Sequence, residues 1–117
     1  MRAYRLSERA AGVGFDWPDI SGVMEKVQEE WEELQQAAAD NDHKQVAAEF
    51  GDLLFTLVNL ARFARIHPET ALTSSIKKFE RRFRQMENIA AEQGRDVGNM
   101  SPAEMDAIWN AIKRDES

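Results

Sequence analysis

The sequence contains no cysteine in its 117 residues. This absence excludes a disulfide framework, a zinc–thiolate site and a cysteine nucleophile. No apolar run reaches the length of a membrane span, and no signal-peptide pattern follows Met1. We therefore expect a cytoplasmic protein that does not have a membrane as its partner.

Glycine, proline and positive charge are also scarce. The chain has 6 glycines and 3 prolines, and its 15 basic residues are outnumbered by 21 acidic ones, which gives a net charge of −6. This charge argues against nucleic acid as a main partner, because a phosphate backbone needs a basic face. With 43% apolar and 31% charged residues, the composition is typical of a helical globular protein. The length and uniform composition predict one domain over residues 1–117.

Apolar residues recur at helical spacing along nearly the whole chain, and no stretch alternates strictly enough to predict a strand. The pattern predicts a short N-terminal helix and four longer ones, at roughly residues 3–11, 20–40, 44–66, 68–93 and from 102 onward. Asp19 is the expected N-cap of the first long helix, Gly94 ends the third, and Ser101 with Glu104 forms a capping box. A mobile loop is expected between Gly94 and Met100. The predicted fold is all-α and similar to a four-helix bundle.

The second long helix has so broad an apolar face that we expect it to be central, and the apolar residues of the third are expected to face inward. These residues are Val46, Phe50, Leu53, Leu54, Leu57, Val58 and Ala61 in the second helix, and Leu72, Ile76, Phe79, Phe83, Met86 and Ile89 in the third. The second helix is expected to close at His67-Pro68, because a residue before proline avoids helical geometry. Trp31 is expected in the core or at a subunit interface, and Trp17 either lines a pocket or packs under its loop. So small a domain is not expected to hide this surface alone, so we predict a homodimer.

Two pairs of carboxylates, each spaced three residues apart, lie on the first two long helices. Glu30 and Glu33 share one helical face, and so do Glu49 and Asp52. If the two helices pack side by side, four hard oxygen ligands converge, which suits Mg²⁺, with Mn²⁺ as a substitute. The second pair has apolar neighbours, and burying an unpaired carboxylate costs several kcal/mol. Gly51 between them indicates a close approach by either a ligand or another helix.

The pattern Glu29-Glu30-x-x-Glu33 followed by Glu49-x-x-Asp52 resembles the signature of the MazG family of all-α nucleoside triphosphate pyrophosphohydrolases. The likeness extends to residues 13–18, 51–55 and 78–83, which resemble the C-terminal catalytic domain of two-domain MazG proteins. It covers nearly the whole chain. The preceding related domain of longer members is absent, which leaves a single-domain protein and an excised catalytic half as alternatives.

The resemblance implies a Mg²⁺-dependent hydrolase that cleaves the bond between the α and β phosphates of a nucleoside triphosphate. The products are a nucleoside monophosphate and pyrophosphate, and the role is housekeeping of the nucleotide pool. Glu30, Glu33, Glu49 and Asp52 are assigned as metal ligands. Glu29 or Glu33 would be the general base, and the sequence does not choose between them. Other acids along these helices are more simply a solvated face.

The resemblance also implies contacts to the substrate. Lys78 and Arg82, four residues apart, match the pair that contacts the polyphosphate, with a solvated basic stripe as the alternative. Trp109 and Lys113 match positions that contact the nucleotide, although Trp109 is equally expected in the core. Asn59 returns to the acidic face and is a weaker candidate for binding substrate. In a homodimer of this family, a neighbouring subunit would complete each nucleotide pocket.

Two other functions fit the same residues. A close enzymatic relative could be specific for one nucleotide, such as deoxyuridine triphosphate or phosphoribosyl-ATP. A non-catalytic helical dimerisation or regulatory module could instead keep the acids as a structural cation site. The basic pair Lys78 and Arg82 argues against the module, because a structural site would not need them.

Overall fold

The structure, a computed structural model, describes residues 1–116 and contains helices and no strand in that range. The elements are α1 (Arg2–Gly12), α2 (Ile20–Ala39), α3 (His43–Phe63), α4 (Pro68–Glu92), a 3₁₀ turn (Val97–Asn99) and α5 (Pro102–Asp115). The predicted all-α fold is confirmed. Within this range, no helix has both the length and the apolar composition needed to cross a bilayer.

The chain forms two compact units. The first unit, residues 1–71, contains α1, α2, α3 and the first turn of α4, and in it both α1 and α2 pack against α3. The second unit begins at Leu72 and contains the rest of α4, the 3₁₀ turn and α5. The acidic pairs belong to the first unit, on the packed helices α2 and α3.

The first unit begins its helices as the sequence predicts but ends α3 earlier. The Asp19 side chain accepts a hydrogen bond from the Gly22 amide at 3.2 Å, as expected of an N-cap. Helix α3 ends at Phe63 instead of continuing to Ile66. Arg65 has a positive φ of 60°, and the Ile66 amide donates to the carbonyl of Ala61 at 2.8 Å. A left-handed residue therefore closes the helix before His67-Pro68 is reached, and the predicted boundary was wrong.

The second unit follows its local signals closely. Gly94 has a φ of 68° and ends α4, and the Arg95 amide donates to the carbonyl of Ala90 at 2.8 Å. Ser101 and Glu104 form the complete capping box that the sequence predicts. The segment between Gly94 and Met100, which was expected to be a loop, contains a 3₁₀ turn that the sequence did not predict. The side chain of Asp96 caps this turn.

Few apolar side chains are fully covered within the chain. The buried ones are Val23, Ala37 and Val58 in the first unit, and Met86, Ala90, Met100 and Ile112 in the second. By contrast, seven of the residues expected to face inward on α3 and α4 retain between 38% and 59% of their surface: Phe50, Leu54, Leu57, Leu72, Ile76, Phe79 and Phe83. Val58 and Met86 are buried as predicted, and Trp31 is 46% exposed. The inward-facing prediction is therefore confirmed for only part of each helix within the single chain, because apolar spacing defines a face without defining what covers it.

Candidate metal and substrate site

Helix α2 presents three carboxylates to one point. Glu29, Glu30 and Glu33 each offer an oxygen, and these oxygens lie within 4.8 Å of one another. The spacing of three and four residues explains this grouping, since such residues are neighbours on a helix surface. Glu30 is only 5% exposed, whereas Glu29 and Glu33 are open to solvent.

Helix α3 adds two further carboxylates to the same place. Oxygens of Glu30, Glu49 and Asp52 also lie within 4.8 Å of one another, so Glu30 belongs to both groups. Glu49 is 8% exposed and Asp52 is open to solvent. The two acidic pairs therefore converge as the sequence predicts. We call these five carboxylates the acid cluster; their role as ligands stays a prediction.

Two buried oxygens of the acid cluster lack partners. Glu30 Oε2 and Glu49 Oε2 have no hydrogen-bond donor within residues 1–116. Their sister oxygens are engaged: Lys26 Nζ lies 3.2 Å from Glu30 Oε1, and Gln45 Nε2 donates to Glu49 Oε1 at 2.6 Å. Leaving a buried carboxylate oxygen unpaired costs of the order of 1–3 kcal/mol or more. Hard oxygens grouped in this way fit a divalent cation such as Mg²⁺, which would satisfy both.

The charge of the acid cluster acts on Glu33. The hydrogen bond that a protonated Glu33 would donate to Glu49 raises the pKa of the Glu33 carboxyl above the ordinary value, with further contributions from desolvation and from the charges of Glu30, Glu49 and Glu29. Such crowding of like charges favours the protonated form of one member. A proton on Glu33 would give Glu49 a hydrogen-bond donor. A bound cation would instead satisfy the unpaired Glu49 oxygen directly.

Lys26 is a member of the site that sequence reasoning missed. Its ammonium lies 3.1 Å from Glu29 Oε1 as well as near Glu30, and hydrogen bonds to Glu29 and then Glu30 raise the pKa of Lys26. The spacing of three and four residues on α2 could have revealed it. Lys26 also lines a cavity of about 340 Å³, together with Phe15, Asp16 and Trp17 from the loop before α2.

Glycine allows the Trp17 ring to lie against α2. A Cβ atom placed on Gly22 would be only 3.1 Å from Trp17 Cδ1. The sequence left Trp17 undecided between lining a pocket and packing under its loop; in the structure Trp17 lines this cavity, and its ring lies against Gly22 of α2. At Gly51, in contrast, a Cβ would meet nothing within 4 Å. No part of residues 1–116 therefore makes the close approach that this glycine indicated.

Asn59 lies in a polar network between α1 and α3. It is 4% exposed, its Oδ1 accepts from Ser7 Oγ at 2.6 Å, and its Nδ2 donates to the Phe55 carbonyl at 3.1 Å. Arg62 joins the network through Nε, which donates to Ser7 Oγ at 2.7 Å, and through a weaker contact to Asn59 at 3.3 Å. The side chain of Asn59 is thus engaged by protein groups, and its contact with substrate or metal-bound water stays a prediction.

The basic and aromatic candidates all belong to the second unit. Arg82 donates to Glu116 from Nη2 at 2.7 Å and from Nε at 3.0 Å, and its guanidinium lies 5.9 Å from the Trp109 ring. The Trp109 ring is also 5.1 Å from that of Phe79. Lys78 and Lys113 are exposed on α4 and α5. Arg82 and Trp109 therefore form one surface group, and Glu116 is a partner that the sequence did not indicate.

Comparison with known proteins agrees with the family resemblance of the sequence. The MazG nucleotide pyrophosphohydrolase domain matches residues 20–86, which is more than half of the chain and includes the whole acid cluster. The nucleoside triphosphate pyrophosphohydrolase/pyrophosphatase MazG of Thermotoga maritima is 41% identical over 111 residues, covering 95% of this chain and 42% of that protein. The nucleoside triphosphate pyrophosphohydrolase of Escherichia coli K12 is 42% identical over 118 residues, covering 99% of this chain and 45% of that protein.

A further relative, the uncharacterized protein YabN of Bacillus subtilis, is 49% identical over 78 residues, covering 67% of this chain and 16% of that protein. The chain thus spans less than half the length of the relatives it matches. The family nevertheless follows from the match, which covers α2, α3 and most of α4 and includes all five residues of the acid cluster. The chain belongs to the MazG nucleotide pyrophosphohydrolase domain family.

Proposed function

We propose that residues 1–117 form one catalytic domain that hydrolyses (deoxy)nucleoside triphosphates to monophosphates and pyrophosphate, in a Mg²⁺-dependent reaction. The observation that carries the proposal is the acid cluster, in which the buried oxygens Glu30 Oε2 and Glu49 Oε2 lack donors. The names of the Thermotoga and Escherichia relatives support the reaction class. We further propose a role in nucleotide-pool housekeeping and a cytoplasmic location.

Two groups of ligands would hold the metal. Glu30, Glu49 and Asp52 form one group, and Glu30 and Glu33 with Glu29 form the other, so Glu30 would be shared. When bound, Mg²⁺ neutralises phosphate charge and makes a coordinated water more acidic, and Mn²⁺ can substitute for it. Lys26 keeps Glu29 and Glu30 oriented through its two ion pairs.

Glu33 or Glu29 would be the general base. Both carboxylates are open to solvent and group with Glu30, and Glu29 also lies 3.1 Å from Lys26 Nζ. In the reaction, water forms a bond to phosphorus, the bridging bond between the α and β phosphates breaks with release of pyrophosphate, and the water proton passes to a carboxylate oxygen of the base.

The substrate contacts come from the second unit. Lys78 and Arg82 would bind the polyphosphate, and Trp109 and Lys113 the nucleotide, either in the same chain or across a dimer. Support comes from Arg82, whose Nε and Nη2 both donate to Oε2 of Glu116, so its guanidinium already binds an anionic oxygen of the kind that a phosphate offers. We assign Asn59 to supporting the site through its network rather than to direct contact with substrate.

The proposed assembly is a homodimer in which helices pair to complete a four-helix-bundle arrangement. Its support is the exposed apolar surface on three helices, where a second copy would cover what the single chain leaves open. The residues concerned are Met24 and Trp31 on α2, Phe50, Leu54 and Leu57 on α3, and Leu72, Ile76, Phe79 and Phe83 on α4. Burial of such surface stabilises by about 25 cal/mol per Å².

The test is a product analysis. Purified protein is incubated with Mg²⁺ and, in turn, each common ribo- and deoxyribonucleoside triphosphate, and the released pyrophosphate and monophosphate are measured separately. Equal amounts of pyrophosphate and monophosphate are expected, from triphosphates that carry several different bases. Orthophosphate with a diphosphate would refute the proposed bond cleavage. Turnover of one triphosphate alone would indicate a specialised relative, and magnesium-dependent melting without pyrophosphate release would indicate a structural module.

A further inference from the structure

The cavity beside Lys26 has the size and position of a second part of the substrate site. Its volume of about 340 Å³ falls in the range of roughly 300–1,000 Å³ that small-molecule sites occupy. Lys26 lines it and also contacts Glu29 and Glu30. A ligand whose phosphates lie at the acid cluster would therefore have its remaining part at this cavity.

The lining of the cavity indicates what that part is. Phe15 and Trp17 contribute aromatic rings, and Asp16 and Lys26 contribute the polar groups. Phe15 is 81% exposed, so its aromatic side chain does not contribute to the hydrophobic core of the chain. Aromatic side chains stack on nucleobases of every kind, because each base offers a π-face. A nucleoside is the part of a nucleoside triphosphate that matches such a lining.

A buried polar network holds this loop in place. Arg62 donates to both carboxylate oxygens of Asp16, at 2.6 and 2.9 Å, and this contact lowers the pKa of Asp16. Arg62 in turn donates to Ser7, which donates to Asn59. Ser7 and Asn59 are 3% and 4% exposed, so the guanidinium is anchored to the interior of α1 and α3 while it binds the loop. Satisfied networks of this kind rigidify the groups they join.

We infer that the cavity formed by Phe15, Asp16, Trp17 and Lys26 is the subsite for the nucleoside part of the substrate; this inference rests on the proposed function. Arg62 is its positioning residue: it touches no substrate and holds the loop through Asp16, with Ser7 and Asn59 fixing its own orientation. The triphosphate is bound elsewhere, at the acid cluster and the basic residues. In this inference Phe15 and Trp17 stack on the base, and the nucleotide contact proposed for Trp109 and Lys113 is an additional one outside this cavity.

The first test compares two exposed apolar residues of the same loop. Phe15 lines the cavity and Val13, 83% exposed, is not among its lining residues, so Phe15→Ala and Val13→Ala are matched in exposure. Calorimetric binding is measured with adenosine, guanosine, cytidine and uridine monophosphates, and with pyrophosphate. We expect Phe15→Ala to weaken monophosphate binding about tenfold, which is the scale of one base–aromatic contact. Pyrophosphate binding and the Val13→Ala variant should be unchanged. Equal monophosphate affinities in both variants would overturn the subsite.

The second test addresses Arg62 with a substitution that preserves charge. Lysine cannot reproduce the bidentate contact to Asp16, and Arg65→Lys, three residues further on and exposed, is the control. Arg62→Lys should raise KM for triphosphates about tenfold with kcat changed by less than about twofold, and weaken inhibition by monophosphates but not by pyrophosphate. The positioning role would be overturned if inhibition by monophosphates and by pyrophosphate weakened equally, or if kcat fell while KM stayed unchanged. If wild-type protein releases no pyrophosphate from any triphosphate, the proposed function fails, and the binding comparison still decides the subsite.

Discussion

The two units of the chain differ in what they bury. Among residues 1–116, the buried polar and charged side chains all lie in the first unit. They are Ser7, Glu30, Glu49, Thr56 and Asn59. The buried residues described in the second unit are apolar, and its ion pairs Arg82–Glu116 and Arg95–Glu104 lie at the surface. Buried polar groups cost free energy unless they are satisfied, and the two unpaired oxygens, Glu30 Oε2 and Glu49 Oε2, both lie in the first unit. This difference supports the proposal that the ligand site belongs to the first unit.

The first unit also divides its polar residues into two kinds. In the network around Arg62, each buried side chain has a hydrogen-bond partner within the protein. In the acid cluster, two buried oxygens have none in the described range. The satisfied network fixes geometry, whereas the unsatisfied oxygens are available to a ligand. This difference separates positioning residues from binding residues without reference to any relative.

The largest expected effect comes from changing the acid cluster itself. Glu49→Gln keeps the acceptor for Gln45 Nε2 and removes one negative charge. Turnover should fall at least about a hundredfold, because the bound metal contributes several kcal/mol to stabilising the transition state. The metal-free protein should melt at a higher temperature, since like-charge repulsion in the cluster is relieved. Activity assays and thermal melts check both expectations.

The exposed Glu25→Gln on α2 is the control for this change. It should alter neither turnover nor melting. If Glu49→Gln behaved in the same way as Glu25→Gln, the acid cluster would have no part in the reaction.

The next largest effect is expected from the metal in the absence of substrate. Mg²⁺ at about one hundred times its dissociation constant should stabilise the folded state by about 2.7 kcal/mol. Hydrogen exchange should slow in α2 and α3 around the acid cluster, whereas exchange around the capping box of α5 should not change beyond the global stabilisation. Equal protection at the capping box and at the acid cluster would remove the proposed difference between the units. Glu49→Gln should abolish the shift.

A smaller effect is expected at Gly51, which tests the exposed face of the first unit. Nothing within the described chain lies near a Cβ at this position. On a solvent-exposed helix, Gly51→Ala would stabilise by about 1 kcal/mol through helix propensity alone. If a second copy packs there, the added methyl group should instead shift the monomer–dimer equilibrium towards monomer in sedimentation experiments. Gly12→Ala, where a Cβ also meets nothing, is the control. A stabilised variant with unchanged dimerisation would place this face outside the interface.

What the sequence predicted correctly depends on local interactions. The capping box of α5, the Asp19 cap and the Gly94 stop involve residues at most five positions apart. The acid cluster was predictable for a similar reason, because each pair shares a helix face and only the packing of α2 on α3 had to be assumed.

What the sequence did not reveal depends on distant partners. Arg62 meets Asp16 and Ser7 across 46 and 55 positions, so no spacing rule indicates the network that holds the loop. The exposure of α4 was missed because periodicity cannot distinguish a face covered within the chain from one covered by another molecule. The end of α3 at a left-handed Arg65 was missed because an arginine there carries no sequence signal comparable to glycine.

The smallest expected effect concerns a surface pair of the second unit. Hydrogen bonds from the Arg95 side chain and then from the Ser101 backbone lower the pKa of Glu104 from 4.5 to about 2. Because the folded-state pKa lies below the unfolded one, the pair stabilises α5 above about pH 4.5, and this contribution is lost as the pH falls through about 2. Arg95→Gln should move the midpoint of the Glu104 carboxyl towards its ordinary value, as followed by carbon NMR. Since the group is exposed, global stability near neutral pH should hardly change. Binding at the acid cluster should be unaffected, and a change in magnesium affinity in this variant would show that the units are less independent in function than their interiors indicate.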